Sequence, residues 1–267
     1  MKRSLGQNFL IDGNTIRKIV AAGGDLQAQR VLEIGGGAGA LTGALLDVGA
    51  EVTVIETDPE WVQVLRDEYD ERAGFRVVHA DAKKVDFASL FPDMDLASQR
   101  ELVVYGNLPY NQAIHILMHL VRSFGGWSRM VLMFQREVAN RIVAPHGSRT
   151  YGVLPIKLAP LVRSEKLFDI PPTCFRPKPK VVSSVVRFEP LDAPLLPPRE
   201  LLVHYRVTQA AFNYRRKTLL NALGRGEPSA VPAAREALEQ AGLSLMTRPE
   251  QLPPSFYMAL AAALAGS

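Results

Sequence analysis

Apolar and polar residues follow two different periods along the first two thirds of the chain. Short apolar runs bounded by polar residues or glycine predict β-strands at residues 31–34, 51–55, 76–79, 102–105 and 130–134. Between these runs, apolar residues recur at helical spacing and predict helices at residues 40–47, 60–69 and 112–122. Strands that alternate with helices indicate a parallel sheet covered by helices, so the predicted fold class is α/β and doubly wound.

The pattern changes after residue 162. Residues 168–176 and 181–188 predict two more strands around a proline-rich corner, and we expect them to form an antiparallel edge of the same sheet. Four prolines then fall within residues 190–198, where they interrupt both helices and strands. Beyond them, helices are predicted at residues 198–212, 215–223, 231–241 and 249–265. We therefore predict a catalytic domain at residues 1–190 and a small auxiliary helical domain at residues 191–267.

Composition and charge narrow the class of protein only slightly. The chain has 267 residues, of which 47% are hydrophobic and 22% charged, as in ordinary folded proteins. Its single cysteine, Cys174, cannot form an internal disulfide, and we see no export signal or transmembrane run, so we expect a cytoplasmic protein. A net charge of +4 permits a polyanionic partner without requiring one.

A glycine-rich turn at residues 35–39 follows the first predicted strand. Glycine lets a ligand approach the backbone, and the start of the next helix adds a favourable dipole. Acidic residues follow the next two strands: Glu56 can accept hydrogen bonds from ribose hydroxyls, and Asp81 can bond the amino group of an adenine. Taken alone, Asp81 is equally expected as a turn or cap residue. Together they predict an adenosine cofactor, either a nicotinamide dinucleotide or S-adenosylmethionine.

The end of the fourth predicted strand decides between these cofactors. Asn107, Leu108, Pro109 and Tyr110 have the form Asn-x-Pro-Tyr, which resembles the signature of methyltransferases that act on nucleobase amines. The lone pair of the amine nitrogen is conjugated into the ring, which makes the amine a poor nucleophile. If the carbonyl groups of Asn107 and Leu108 accept the two N–H groups of the amine, the lone pair becomes localised on the nitrogen. Pro109 stiffens the turn, and Tyr110 offers a ring on which an extruded base stacks. This chemistry requires neither a strong general base nor a metal.

Nearly the whole chain resembles the ribosomal RNA adenine dimethyltransferases known as the KsgA family. The matching segments are residues 4–10, 32–35, 39–42, 107–111, 135–139, 151–152, 171–172, 175–181 and 215–219. The Gly-Gln-Asn-Phe-Leu opening and the Phe-x-Pro-x-Pro-Lys-Val segment are the most specific of them. The resemblance implies a Rossmann-like S-adenosylmethionine-dependent methyltransferase sheet with a small C-terminal all-helical domain.

The resemblance also implies a reaction, a cofactor and a partner. The reaction is dimethylation of the exocyclic N6 amine of two adjacent adenosines near the 3′ end of 16S rRNA during small-subunit biogenesis. The cofactor is S-adenosyl-L-methionine, with contacts from Asn8, Leu10, Gly35, Glu56, Asp81 and Asn107. Phe175 becomes a second aromatic beside the target adenine, whereas the residues alone favour an ordinary core aromatic. The partner is 16S rRNA within an immature 30S subunit, bound by a monomer that makes no membrane contact.

Two short basic clusters are candidate RNA contacts. They comprise Arg176, Lys178 and Lys180, and then Arg215, Arg216 and Lys217. Alternate positions of an extended segment point to one side, so the first cluster is predicted to follow an RNA backbone. Lys2 and Arg3 can add contacts from the N-terminus. A solvated charged surface is the alternative interpretation of each cluster.

Two places depart from the family pattern. Gly36 and Ala38 stand where relatives commonly have proline and a larger apolar residue, which we expect to loosen the turn without moving the contacting backbone. Residues 112–114, Gln-Ala-Ile, replace the usual Ile-Ser-Thr after the catalytic loop.

Three other functions compete with the small-subunit enzyme. The macrolide-resistance methyltransferases of large-subunit rRNA share the fold and catalytic loop, but residues 5–10 and 215–219 favour the small-subunit enzymes. A non-catalytic RNA-binding or transcription factor would not need an intact Asn107 to Tyr110 motif. A nicotinamide dehydrogenase has no use for that motif.

Overall fold

A computed structural model describes residues 8–94, 100–123 and 125–266 of the chain. The strands are β1 (Phe9–Leu10), β2 (Arg30–Ile34), β3 (Glu51–Glu56), β4 (Phe75–His79), β5 (Leu102–Asn107), β6 (Trp127–Gln135), β7 (Val162–Ile170), β8 (Phe175–Arg176) and β9 (Ser183–Pro190). The helices are α1 (Gly13–Ala21), α2 (Ala40–Asp47), α3 (Pro59–Tyr69), α4 (Ala113–Ser123), α5 (Arg136–Ile142), α6 (Val153–Leu158), α7 (Pro198–Asn213), α8 (Leu219–Gly226), α9 (Val231–Gln240) and α10 (Pro254–Gly266). Lys2, Arg3 and residues 4–7 of the opening motif lie outside the described residues.

Seven strands form the main sheet in the order β4-β3-β2-β5-β6-β9-β7. Strands β4, β3, β2, β5 and β6 are parallel, and β9 pairs antiparallel with β6, with Val185 opposite Met133. The predicted α/β class, the five parallel strands and the antiparallel addition to the sheet are thus confirmed. Buried strands such as β5 are apolar along their length because helices cover both faces of a parallel sheet.

The segment predicted as one strand at residues 168–176 is divided in the structure. Strand β7 ends at Ile170, and Pro171 and Pro172, which lack N–H groups for a sheet ladder, lead into a short helical turn. The chain then forms β8, which leaves the main sheet and pairs antiparallel with β1, so that Leu10 lies opposite Phe175. The prediction of a single strand here was wrong.

Two predicted helices of the C-terminal region begin later than expected. Helix α8 starts at Leu219 rather than Arg215, because Oγ1 of Thr218 accepts the N–H of Asn221 and caps the helix there. Helix α10 starts at Pro254 rather than residue 249, after a separate short turn at Pro249–Gln251. Helices α1, α5 and α6 had not been predicted.

The chain divides into two compact units. The described parts of Met1–Ala139 and Ser164–Pro190 form the first, and Asn140–Arg163 with Leu191–Ser267 form the second. The predicted domain boundary at residue 190 places residues 140–163 in the first domain. They join the helical unit because Tyr151 and Ile156 are buried in the same core as Val207, Leu219 and Tyr257. Among the described residues, no helix combines the length and apolar character needed to cross a membrane.

Candidate active site

A cavity of about 310 Å³ opens at the carboxyl ends of strands β2, β3, β4 and β5. The carboxyl ends of parallel strands meet at one edge of the sheet, so the loops that follow them converge. All the residues predicted to bind the cofactor line this cavity, namely Asn8, Leu10, Gly35, Glu56, Asp81 and Asn107. Leu108, Pro109 and Tyr110 line it as well. The structure therefore brings the predicted cofactor residues and the predicted catalytic loop into one space.

The turn from β2 to α2 needs glycine for its backbone conformation. Gly35, Gly37 and Gly39 have φ angles of +79°, +50° and +80°, a region that side-chain-bearing residues rarely adopt. No heavy atom lies within 4 Å of the place where a Cβ of Gly35 would be. The backbone at Gly35 thus faces open space on the cavity wall, and a ligand can approach it closely.

The carboxylate of Glu56 holds this turn in place. Its Oε2 accepts the N–H of Gly37 at 3.0 Å, and its Oε1 accepts the N–H groups of Thr57 at 2.8 Å and Asp58 at 3.0 Å. The residue is only 2% exposed although it lines the cavity. A carboxylate oxygen can accept two hydrogen bonds, so Oε2 keeps capacity for a ribose hydroxyl. Glu56 therefore combines a structural role with the predicted binding role.

A second buried carboxyl group, that of Glu33, also lines the cavity. It is 1% exposed, and its Oε2 accepts a hydrogen bond from Oγ1 of Thr42 at 2.6 Å. Burial raises the pKa of the Glu33 carboxyl to about 8, the Thr42 bond opposes the rise, and the nearby Glu56 carboxylate adds to it. No pattern in the sequence predicts that this carboxyl group holds a proton at neutral pH.

Asp81 caps the turn that follows β4. Its Oδ1 accepts the N–H of Lys83 at 2.9 Å, and its Oδ2 lies 3.6 Å from Nζ of Lys83. The alternative interpretation as a turn residue is thus confirmed, and the same side chain lines the cavity.

Asn107 is the last residue of β5, and its amide is tied to the N-terminal segment. Nδ2 of Asn107 donates to the main-chain oxygen of Asn8 at 2.9 Å. This hydrogen bond fixes the orientation of the Asn107 amide group, so Oδ1 is the atom of that group that can accept a hydrogen bond. Leu108 follows with its side chain buried, which anchors the loop in the sheet.

Tyr110 is held by a residue that is not among the predicted site residues. Its hydroxyl group and Oγ of Ser183 lie 2.7 Å apart in a hydrogen bond. Ser183 is buried at the start of β9, and it follows the proline-rich segment that resembles the known family. Nothing in the residue pattern linked this serine to Tyr110.

Phe175 is not among the residues that line the cavity. It is 3% exposed and belongs to the hydrophobic core of the first unit. Phe175 lies opposite Leu10, which lines the cavity, and its own side chain packs in the core, as the residues alone predict.

Comparison with known proteins gives the family of the chain. Residues 1–258 match the family described as ribosomal RNA adenine dimethylase. The chain belongs to this family. It is 38% identical to the ribosomal RNA small subunit methyltransferase A of Pseudomonas putida, over 99% of this chain and 95% of the relative. The protein of the same name from Brucella suis is 41% identical over 97% of this chain and 91% of the relative.

Solved structures share the fold of this rRNA adenine dimethylase. A dimethyladenosine transferase from Plasmodium falciparum has a TM-score of 0.78 with 23% identity, covering 94% of this chain and 95% of that one. The 23S rRNA methyltransferase ErmE has a TM-score of 0.72 with 24% identity, covering 96% and 99%. The Rossmann-like methyltransferase fold is confirmed, and so are the prediction of an rRNA adenine dimethyltransferase and of S-adenosylmethionine as its methyl donor.

The cavity of this dimethylase fits that cofactor on its own chemistry. Gly35 offers bare backbone with open space beside it, and the carboxylates of Glu56 and Asp81 make the wall acidic. S-adenosylmethionine carries a sulfonium and an ammonium group, so an acidic wall suits it electrostatically. Within the described ranges, no group of three or more His, Cys, Asp or Glu side chains is placed to hold a metal ion.

The six basic residues of the two clusters predicted to contact RNA are exposed in the dimethylase. Strand β8 ends at Arg176, and the side chains of Arg176, Lys178 and Lys180 all reach solvent. Arg215, Arg216 and Lys217 lie in the turn between α7 and α8. Arg215 is paired there with Glu250, with Nη2 and Oε2 2.8 Å apart.

Proposed function

We propose that this dimethylase modifies two adjacent adenosines near the 3′ end of 16S rRNA, on the N6 amine, within an immature 30S subunit in the cytoplasm. Relatives named small subunit methyltransferase A, 38% and 41% identical over nearly the whole of both chains, support the choice of subunit. One observation supports the proposal of methyl transfer above all others. Asn107 and Tyr110 line the same cavity as Gly35, Glu56 and Asp81.

The two units have different roles in this proposal. The first unit would hold the cofactor through Asn8, Leu10, Gly35, Glu56, Asp81 and Asn107, and the helical unit would assist rRNA binding. When bound, S-adenosylmethionine supplies an electrophilic methyl group. Arg176, Lys178 and Lys180 in the first unit, and Arg215, Arg216 and Lys217 in the second, would contact phosphates of the rRNA as a monomer binds it.

Asn107 and Leu108 would activate the amine of the target adenosine. Oδ1 of Asn107 and the main-chain oxygen of Leu108 each accept one N–H, which draws the nitrogen lone pair out of conjugation with the ring. The hydrogen bond from Nδ2 of Asn107 to the Asn8 carbonyl fixes the side chain before the substrate arrives. Acceptors that are already oriented cost no reorganisation in the transition state. The amine becomes more acidic as the new bond forms, so water can take the proton afterwards.

Tyr110 would support the extruded base by stacking. Its hydroxyl bond to Ser183 limits rotation of the ring, so the stacking surface is present before the base enters. Phe175 is proposed as the second aromatic contact, and because its side chain is buried, that contact requires the side chain to move when RNA binds.

Mass spectrometry of rRNA from immature subunits tests the proposal. Undermethylated 30S and 50S particles are incubated separately with the protein and labelled cofactor. Dimethyladenosine at two adjacent positions near the 3′ end of 16S rRNA is expected, and label only in 23S rRNA would overturn the choice of substrate. Asn107→Ala is the matched control, and an unchanged yield with that variant would overturn the assignment of the catalytic loop.

A further inference from the structure

The turn after α7 exposes an aromatic side chain in the second unit. Tyr214 follows the last residue of α7, and its main-chain oxygen accepts the N–H of Lys217 at 2.8 Å. The side chain is 40% exposed. Tyr151 and Tyr257 of the same unit are instead buried, and their hydroxyl groups donate to main-chain oxygens at 3.1 Å and 2.9 Å. Tyr214 thus differs from the tyrosines that stabilise this unit.

One cation contacts this exposed ring, and two more are exposed in the same turn. The Cζ atom of Arg225 in α8 lies 5.6 Å from the centroid of the Tyr214 ring, within the range of a cation–π contact. Arg216 and Lys217 are exposed in the same turn. Glu250 pairs with Arg215, and in the part of the chain that the structure describes, Arg216, Lys217 and Arg225 form no ion pair. The turn therefore presents an aromatic ring within a local excess of positive charge.

We propose that Tyr214, together with Arg225, is a stacking site for an unpaired base of the rRNA, with Arg216 and Lys217 on the flanking phosphates. This inference rests on the proposed rRNA substrate. Any base can stack on an aromatic ring and a guanidinium group, and proteins recognise RNA largely through unpaired bases in loops and bulges. A purely electrostatic partner would engage the cations without needing the ring. The site lies in the helical unit and the cavity in the first, so it would serve substrate docking rather than methyl transfer.

Three substitutions at one position separate stacking from simple bulk. Full-length protein with Tyr214→Phe, Tyr214→Leu or Tyr214→Ala is titrated with transcribed 16S rRNA and with undermethylated 30S particles. We expect Tyr214→Ala and Tyr214→Leu to raise the dissociation constant by about fivefold to a hundredfold, the range for loss of one stacked base. Tyr214→Phe should stay within about twofold of the wild type, because it keeps the ring. Cofactor affinity, measured by calorimetry, should not change.

Salt dependence supplies an independent readout. The slope of log affinity against log salt should be unchanged in Tyr214→Ala, because no charge is removed. In Arg216→Gln the slope should fall by about one, the effect of losing one phosphate contact. A slope that falls equally in both variants would overturn the division between base and phosphate contacts.

Met246→Ala is the matched control, because Met246 is also in the second unit and its side chain is 74% exposed. Its RNA affinity should equal that of the wild type.

Wild-type affinity of Tyr214→Ala, or equal affinities of the Phe and Leu variants, would overturn the stacking site. Melting temperatures of all variants show whether a loss reflects unfolding, and Tyr214→Leu keeps the apolar bulk in any case. If the wild type methylates 16S rRNA while Tyr214→Ala binds normally, only this inference fails; if the wild type methylates neither subunit, the proposed function fails.

Discussion

The hydroxyl group of Tyr110 lies 2.7 Å from Oγ of Ser183, across 73 positions of sequence. Tyr110 stands in the loop after β5, and Ser183 opens β9, which is separated from β5 by β6 in the sheet. A strand residue with a buried hydroxyl thus holds a loop residue whose ring faces the cavity. The antiparallel addition to the parallel sheet thereby positions part of the loop that we propose to be catalytic.

Loss of either hydroxyl should have the same effect on the reaction. We expect Ser183→Ala and Tyr110→Phe each to lower kcat/KM about two- to tenfold, the equivalent of one hydrogen bond of ordinary strength. The double variant should be no worse than either single one, because both remove the same interaction. Steady-state kinetics on undermethylated 30S particles measure this. Ser184→Ala is the control, since its hydroxyl bonds Asp169 instead, at 2.6 Å, and fully additive losses at Ser183 and Tyr110 would contradict the coupling.

Asn107→Ala should abolish most of the methyl transfer. Removal of one oriented acceptor is expected to lower kcat by about a hundredfold or more. Asn107→Asp keeps acceptor oxygens but replaces Nδ2, so the bond to the Asn8 carbonyl is lost and a negative oxygen faces that carbonyl. We expect this variant to lose cofactor affinity as well as rate, which calorimetry and single-turnover kinetics distinguish. Similar cofactor affinities in the Asp variant and the wild type would argue against the tie to the N-terminal segment.

The buried Glu33 makes stability depend on pH. Burial raises its pKa from 4.5 to about 8 in the folded protein, so the folded state binds the proton more tightly than the unfolded chain. The resulting stability is fully present below about pH 4.5 and declines by up to about 1.4 kcal/mol per pH unit until pH reaches about 8. Glu33→Gln removes a titrating group and should flatten this part of the profile.

Urea denaturation of the cofactor-free protein between pH 5 and pH 9 measures how the free energy of unfolding depends on pH in the wild type and in Glu33→Gln. Glu60→Gln serves as the control, because Glu60 is an exposed carboxylate on α3. Parallel profiles for the wild type and Glu33→Gln would show that Glu33 is ionised in the folded state, contrary to the expectation.

The glycine turn should not tolerate a side chain at Gly36. A Cβ there would lie 2.6 Å from Cγ1 of Val54 and 2.9 Å from Cδ1 of Leu65, both in the core. We expect Gly36→Ala to lower the free energy of unfolding by about 1–3 kcal/mol, as overpacking does. At Gly152, no heavy atom lies within 4 Å of an added Cβ, so Gly152→Ala is the matched control. Equal urea midpoints for the two variants would contradict the close packing of this turn.

The sequence by itself determined the parallel sheet and several residues of the cavity that we propose for the cofactor. Apolar runs predict buried strands because burial selects residue type locally. Glu56 and Asn107 end two such strands, and Asp81 lies two residues beyond a third. Once the strands are parallel, their carboxyl ends share one edge, so those side chains had to converge. The Asn-x-Pro-Tyr motif identified amine methylation for the same reason, because its chemistry lies in adjacent residues.

Only the tertiary structure decided how distant segments support that cavity. It paired β1 with β8, assigned residues 140–163 to the helical unit, buried Phe175, and bonded Ser183 to Tyr110. A two-residue strand has no periodicity to detect, and a serine at the start of a strand looks the same whether or not it has a partner. Such contacts depend on strand order and on which faces meet. Local patterns of residues encode burial and conformation, but they do not encode those long-range partners.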